Sequence, residues 1–145
     1  MITKEVARAG LNVCCMQEVK YRKTDSKEIR LNNGEVYEFF WSGYEKKCEA
    51  GVGVLIKKDE KVIIVKPDVC TPRVVAINVS VFGFNVRIIN AYAPINSDGT
   101  PKAKDDFYRI LRKSSATIKS IKSSSLPVIS TRKILWLMIT VSSME

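Results

Sequence analysis

Between positions 73 and 92 the chain alternates apolar and polar residues with a period of two. Val75, Ile77, Val79 and Val81 interleave with Ala76, Asn78 and Ser80. Such alternation puts the two sets on opposite faces of an extended strand. The short "FGFN" makes a tight connection and "VRIINAY" runs back, so a hairpin is predicted. Other apolar runs read as strands: "LNVCCM" at 11–16, "VYEFFW" at 36–41, "GVGVLIK" at 51–57 and "KVIIVK" at 61–66, the last ended by Pro67. The glycines of "GVGVLIK" predict a close backbone approach. Residues 21–36 are polar and charged, with a turn at "NNG".

A 3.6-residue period marks two helices. "TKEVARA" at 3–9 precedes Gly10, a natural C-terminal stop. The second begins after the turn-rich "APINSDG". Thr100 is placed to cap it, Pro101 suits its first position, and Asp105 and Asp106 favour its positive end. Phe107, Ile110, Leu111, Ile118 and Ile121 share one face. "SSSLPVIS" then leads into a further strand. This order predicts one α/β layered domain, a mixed, mostly antiparallel sheet with covering helices.

Composition narrows the chemistry. The net charge of +9, from 24 Lys and Arg against 15 Asp and Glu, favours a polyanionic partner, nucleic acid before an anionic membrane surface; simple solubility explains it equally well. The sequence holds no His, which excludes Ser-His-Asp and Cys-His catalysis and the usual zinc sets. Cys14, Cys15, Cys48 and Cys70 have no CxxC spacing and read as reduced thiols. No apolar leader and no run of 18 apolar residues occurs, so an intracellular, non-membrane protein is expected.

Glu18 follows a hydrophobic strand and faces a basic run that includes Lys20 and Arg22. A carboxylate at a strand end can hold a hard cation against a phosphate. Taken singly, it reads more simply as a surface glutamate paired with Lys20 or Arg22. Tyr92, in "NAYAP", closes the best strand, where a phenol can donate to a phosphate oxygen; a solvated interface tyrosine is the plainer reading. Arg73 opens the hairpin, as a phosphate contact or a solvated strand end. The second helix carries many cations, which fits a wet face or a nucleic-acid track.

In combination and in this order, "LNVCCMQEVKYR", "FFWSG", "GVGVLI", "RVVAINVSVFGFNVRIINAYAP" and "DDFYRIL" resemble the endonuclease/exonuclease/phosphatase superfamily. The chain is most similar to LINE-type retrotransposon endonuclease domains and to craniofacial development protein 2-like proteins. The resemblance covers roughly residues 3–130. It implies a DNase-I-like α/β sandwich, here partial and truncated, and a Mg²⁺- or Mn²⁺-dependent phosphodiesterase that nicks DNA, with nuclear localisation. It makes Glu18 a metal ligand and Tyr92 an assistant at the scissile phosphate. Gln17 and Asn90 would order the site. Arg73, Lys20 and Arg22 would contact the nucleic acid, DNA before RNA.

The family's "GDFN" block and its later Asp and His are missing. After "LPVIS" comes "TRKILWLMITVSSME". Permitted codons for "RKILWLMIT", read from their third base, give "EDFMANDY", similar to "GDFNA". Residues 1–130 are therefore expected to be a partial endonuclease domain and 131–145 a divergent apolar tail produced by a frameshift. Cleavage is expected to be lost, which leaves a nucleic-acid-binding remnant or a pseudogene-like product. Half a sandwich should also leave an inner sheet face partly uncovered, and so cause low stability, self-association or dependence on a partner.

Overall fold

The computed structural model describes residues 2–94, 100–121 and 137–139. The chain forms α1 (Ile2–Arg8), β1 (Val13–Gln17), β2 (Thr24–Arg30), β3 (Val36–Ser42), β4 (Val52–Lys57), β5 (Val62–Ile64), β6 (Val69–Thr71), β7 (Val74–Val81), β8 (Phe84–Ala91), α2 (Pro101–Ile121) and β9 (Leu137–Ile139). Two sheets result. Sheet A has the order β1-β4-β3-β2 and is antiparallel throughout. Sheet B has the order β5-β7-β8-β9, with β6 also on β7. It is antiparallel except for the parallel β8–β9 pair. The architecture is mixed α/β with strands predominant.

The predicted hairpin forms as β7–β8, in register from Val74 opposite Ala91 to Val81 opposite Phe84. Its turn uses Phe82 at φ 51° and Gly83 at φ 78°. The inward residues of β7 and β8 meet those of sheet A. Phe40, Val52, Val54, Ile56, Val75, Ile77, Val79, Ile88 and Tyr92 form one buried cluster between the sheets. This corrects the expectation of a partly uncovered inner face: strands of both sheets, all from this chain, face each other across this cluster.

Three further expectations change. β1 is an edge strand of sheet A, half-buried along its length rather than buried. β2 forms where only a polar segment was expected, because each of its residues from Thr24 to Arg30 pairs with β3. The "KVIIVK" run yields β5, and a separate β6 follows Pro67 on the same edge of β7. Proline lacks the N–H that a continuous ladder would require there. Most of the loop after "YAP" and the "LPVIS" strand fall outside the described residues. Of the tail, Leu137–Ile139 adds the parallel strand beside Ile88–Asn90.

The outer faces are covered unequally. On sheet B, α2 lays Phe107, with half-buried Ile110 and Leu111, on Val74, Ala76, Ile89, Ala91 and Ala93. Arg87 fastens the helix. Its Nε donates to the Ser114 carbonyl at 2.8 Å, and its Nη1 donates to Asp68 and Asn78 at 2.9 and 2.8 Å. On sheet A, the seven-residue α1 contributes Val6 to a cluster with Tyr37, Phe39 and Leu55. No helix among the described residues is long and apolar enough to cross a membrane.

Candidate functional site

The two sheets are tied together at one end by polar side chains. Asn90 points inward from β8 and is 1% exposed. Its Nδ2 donates to the carbonyls of Met16 on β1 and Gly53 on β4, at 2.8 and 2.9 Å. Its Oδ1 is buried without a partner. Gln17 Nε2 reaches the other way and donates to the Ala91 carbonyl at 3.1 Å. These side-chain bonds tie β8 to β1 and β4 and tie β1 back to β8, so the end of β1 is locked over the end of β8.

That lock sets the next residues opposite each other. Glu18 takes a left-handed backbone at φ 53°, which is costly for a residue with a Cβ. The turn is held by hydrogen bonds from Val19 N–H to the Gly51 carbonyl and from Lys20 N–H to the Ala50 carbonyl, at 3.3 and 3.0 Å. Tyr92 lies just past β8 and donates its phenol to Glu18 Oε1 at 2.6 Å. At this distance the phenol and the carboxyl group are directly joined.

Arg73 completes the group. Its Nη1 donates to the carbonyls of Tyr92 and Ala93 at 3.4 and 3.2 Å. Its guanidinium carbon lies 5.3 Å from the centre of the Tyr92 ring, within cation–π range. The Tyr92 N–H in turn donates to the Arg73 carbonyl at 2.8 Å.

Glu18, Arg73 and Tyr92 line an open groove of about 650 Å³, together with Tyr44, Lys47, Glu49, Ala50, Pro94 and Ala103. A somewhat larger groove, of about 750 Å³, contains Glu28, Arg30 and Lys58. Those three charges pair with one another in the Lys58–Glu28 and Arg30–Glu28 ion pairs, and none of the sequence candidates lines that groove.

Of the sequence candidates, Gln17, Glu18, Arg73, Asn90 and Tyr92 therefore meet at one end of the sandwich. Lys20 and Arg22 do not line the groove; both are exposed on the segment between β1 and β2. Glu18 takes its hydrogen bond from Tyr92 rather than pairing with either. The residues missed from sequence belong to the 43–51 segment, above all Tyr44, Lys47 and Glu49. Their only sequence signal was a charged run, "EKKCE", between two strands.

Among the described residues no group of three or more His, Cys, Asp or Glu could hold a metal ion. The groove offers the Glu18 carboxylate, with Glu49 also on its lining. Magnesium is commonly held by one or two carboxylates with waters and substrate phosphate completing its shell. The described side chains alone do not form a cage around a cation. The thiols stand apart: burial pushes Cys15 up to about 12, and the neighbouring Cys14 adds to the shift. Cys15 therefore stays protonated and a poor nucleophile at neutral pH.

No protein-family model matches the chain, and neither does any curated protein sequence.

Proposed function

We propose that the Glu18–Tyr92 groove receives a DNA phosphodiester together with a divalent cation, in a domain of the DNase-I-like, endonuclease/exonuclease/phosphatase type and of retroelement origin. The observation that carries this reading is the 2.6 Å hydrogen bond from Tyr92 to Glu18, beside a guanidinium that faces the same groove. The ordered sequence motifs support the family. Glu18 would hold the cation, and Mg²⁺ or Mn²⁺ bound there would polarise a phosphoryl oxygen. Tyr92 would release its proton bond from Glu18 and offer it to the phosphate. Arg73 keeps the ring in place, and Gln17 and Asn90 keep the two sheets in register beneath it.

Binding outlasts cleavage in this reading. The sequence has no His, and the "GDFN" block and later Asp and His that the resemblance calls for are missing from it. Proton transfer by a positioned side chain contributes about 10²- to 10⁴-fold, so nicking is expected to be lost while DNA binding remains. Two assays on the full chain test this: a gel shift on duplex DNA across a salt series, and nicking of supercoiled plasmid with Mg²⁺ or Mn²⁺. Salt-dependent binding without nicking, weakened by Arg73→Ala, is expected. Absence of binding at low salt would refute the DNA partner. Nicking abolished by Glu18→Gln would refute the loss of activity.

A further inference from the structure

The outer face of sheet A carries a group of aromatic rings that the groove does not use. Phe39 and Trp41 alternate on β3, and Tyr21 folds over them from the segment between β1 and β2. Ring centres lie 5.1 Å apart for Tyr21 and Trp41, 5.4 Å for Phe39 and Trp41, and 6.0 Å for Tyr21 and Phe39. Gly53 makes the arrangement possible. A Cβ there would lie 2.6 Å from Phe39 Cε2, so only glycine lets that ring lie against the strand.

The stack is rigid at its base and open at its top. Phe39 is buried, Trp41 half-buried, and Tyr21 54% exposed. The Trp41 indole is held by its Nε1 donating to the Arg22 carbonyl at 3.4 Å. α1 supports the base of the stack, with Val6 in one cluster with Phe39, Tyr37 and Leu55, and the turn after it meets sheet A at the other end of β3, where the Tyr37 hydroxyl donates to the Leu11 carbonyl.

The surroundings are basic. Arg22 and Lys23 are exposed beside Tyr21, and Lys27 is exposed on the face of Phe39, its cross-strand partner. Asp25, opposite Trp41, is the one carboxylate of that strand on this face. None of the three cations is in an ion pair among the described residues. Exposed aromatic faces flanked by unpaired cations are how proteins hold unpaired nucleic-acid strands, the rings stacking on bases and the cations following phosphates.

We propose that the Tyr21–Trp41 stack is a second nucleic-acid site that binds single-stranded DNA by base stacking. The choice of DNA rests on the function proposed above; the stacking mode rests on the rings and charges of this face alone. The test uses the full chain with Trp136→Phe, which leaves Trp41 as the only indole. It is titrated with oligo(dT) and with an abasic oligomer of the same length. Oligo(dT) is expected to quench Trp41 and to bind more tightly than the abasic chain. Tyr21→Ala is expected to weaken oligo(dT) about tenfold, the scale of one lost base–aromatic stack, and to leave abasic binding unchanged. Lys27→Ala should weaken both oligomers alike. Equal affinity for the two oligomers with unchanged fluorescence would overturn the stacking site and leave the phosphate groove standing. Failure of both oligomers and of duplex DNA to bind would overturn both.

Discussion

The outer faces of the two sheets make opposite bargains with solvent. Sheet B presents mostly small residues, Val74, Ala76, Ala91 and Ala93 beside one larger Ile89, and the 21-residue α2 seals them with Phe107. Sheet A presents large rings and has only the seven-residue α1. Small side chains let a helix approach closely and exclude water. Large rings cover strand backbone by themselves and remain partly wet. The first face is built for stability and the second is left available for contact, with the candidate groove at the sandwich end between them.

The contrast can be broken from the covered side first. Phe107→Ala should cost about 3–5 kcal/mol, as deletion of a buried aromatic does. Urea denaturation would measure it, and a loss under 1 kcal/mol would mean that α2 does not seal sheet B. Next is the polar lock. Asn90→Ala leaves the carbonyls of Met16 and Gly53 without their donor, at about 1–3 kcal/mol for a buried group left unsatisfied. The same change should release Glu18 from Tyr92, so Tyr92 should become more accessible to nitration. A stable variant with unchanged nitration would remove the lock from the account.

A smaller effect concerns pH. The folded Cys15 thiol is pushed up to about 12 by burial, above the roughly 8.5 of an unfolded cysteine. The folded state thus keeps a proton that the unfolded chain loses. Stability from this group is complete below the unfolded value and declines as pH rises from there toward about 12. The urea midpoint should fall through that window, and fall less in Cys15→Ala; parallel curves would contradict the assignment. The smallest change is Tyr21→Ala. Its half-exposed ring should cost under about 1 kcal/mol of stability, against several for Phe107. Comparable losses would mean that the sheet A rings are core rather than contact surface.

Those two residues also show what the sequence could reveal. Phe107 was legible because it repeats with Ile110 and Leu111 at helical spacing, and the β7–β8 hairpin because Val75, Ile77, Val79 and Val81 recur at every second position before a tight turn. β2 was not legible: "TDSKEIR" has almost no apolar signal and is a strand because β3 supplies its partners. The covered inner face was also missed, because which sheet packs on which is set by contacts between distant segments. At the site, Glu18 and Tyr92 stood out through their places at strand ends. Their direct hydrogen bond joins residues 74 apart in the chain, and the double brace made by Asn90 spans 74 and 37 residues, so neither has a local signature. Tyr44, Lys47 and Glu49 lay hidden because a charged run reads as an ordinary loop.

The most direct measurement is paramagnetic broadening by Mn²⁺ in the NMR spectrum of the ¹⁵N-labelled chain. If Glu18 and Tyr92 form a cation and phosphate site, amides near Glu18, Ala50 and Tyr92 should broaden first, and Glu18→Gln should abolish the effect. Broadening spread over surface carboxylates such as Glu28 and Glu60, unchanged by Glu18→Gln, would contradict the site.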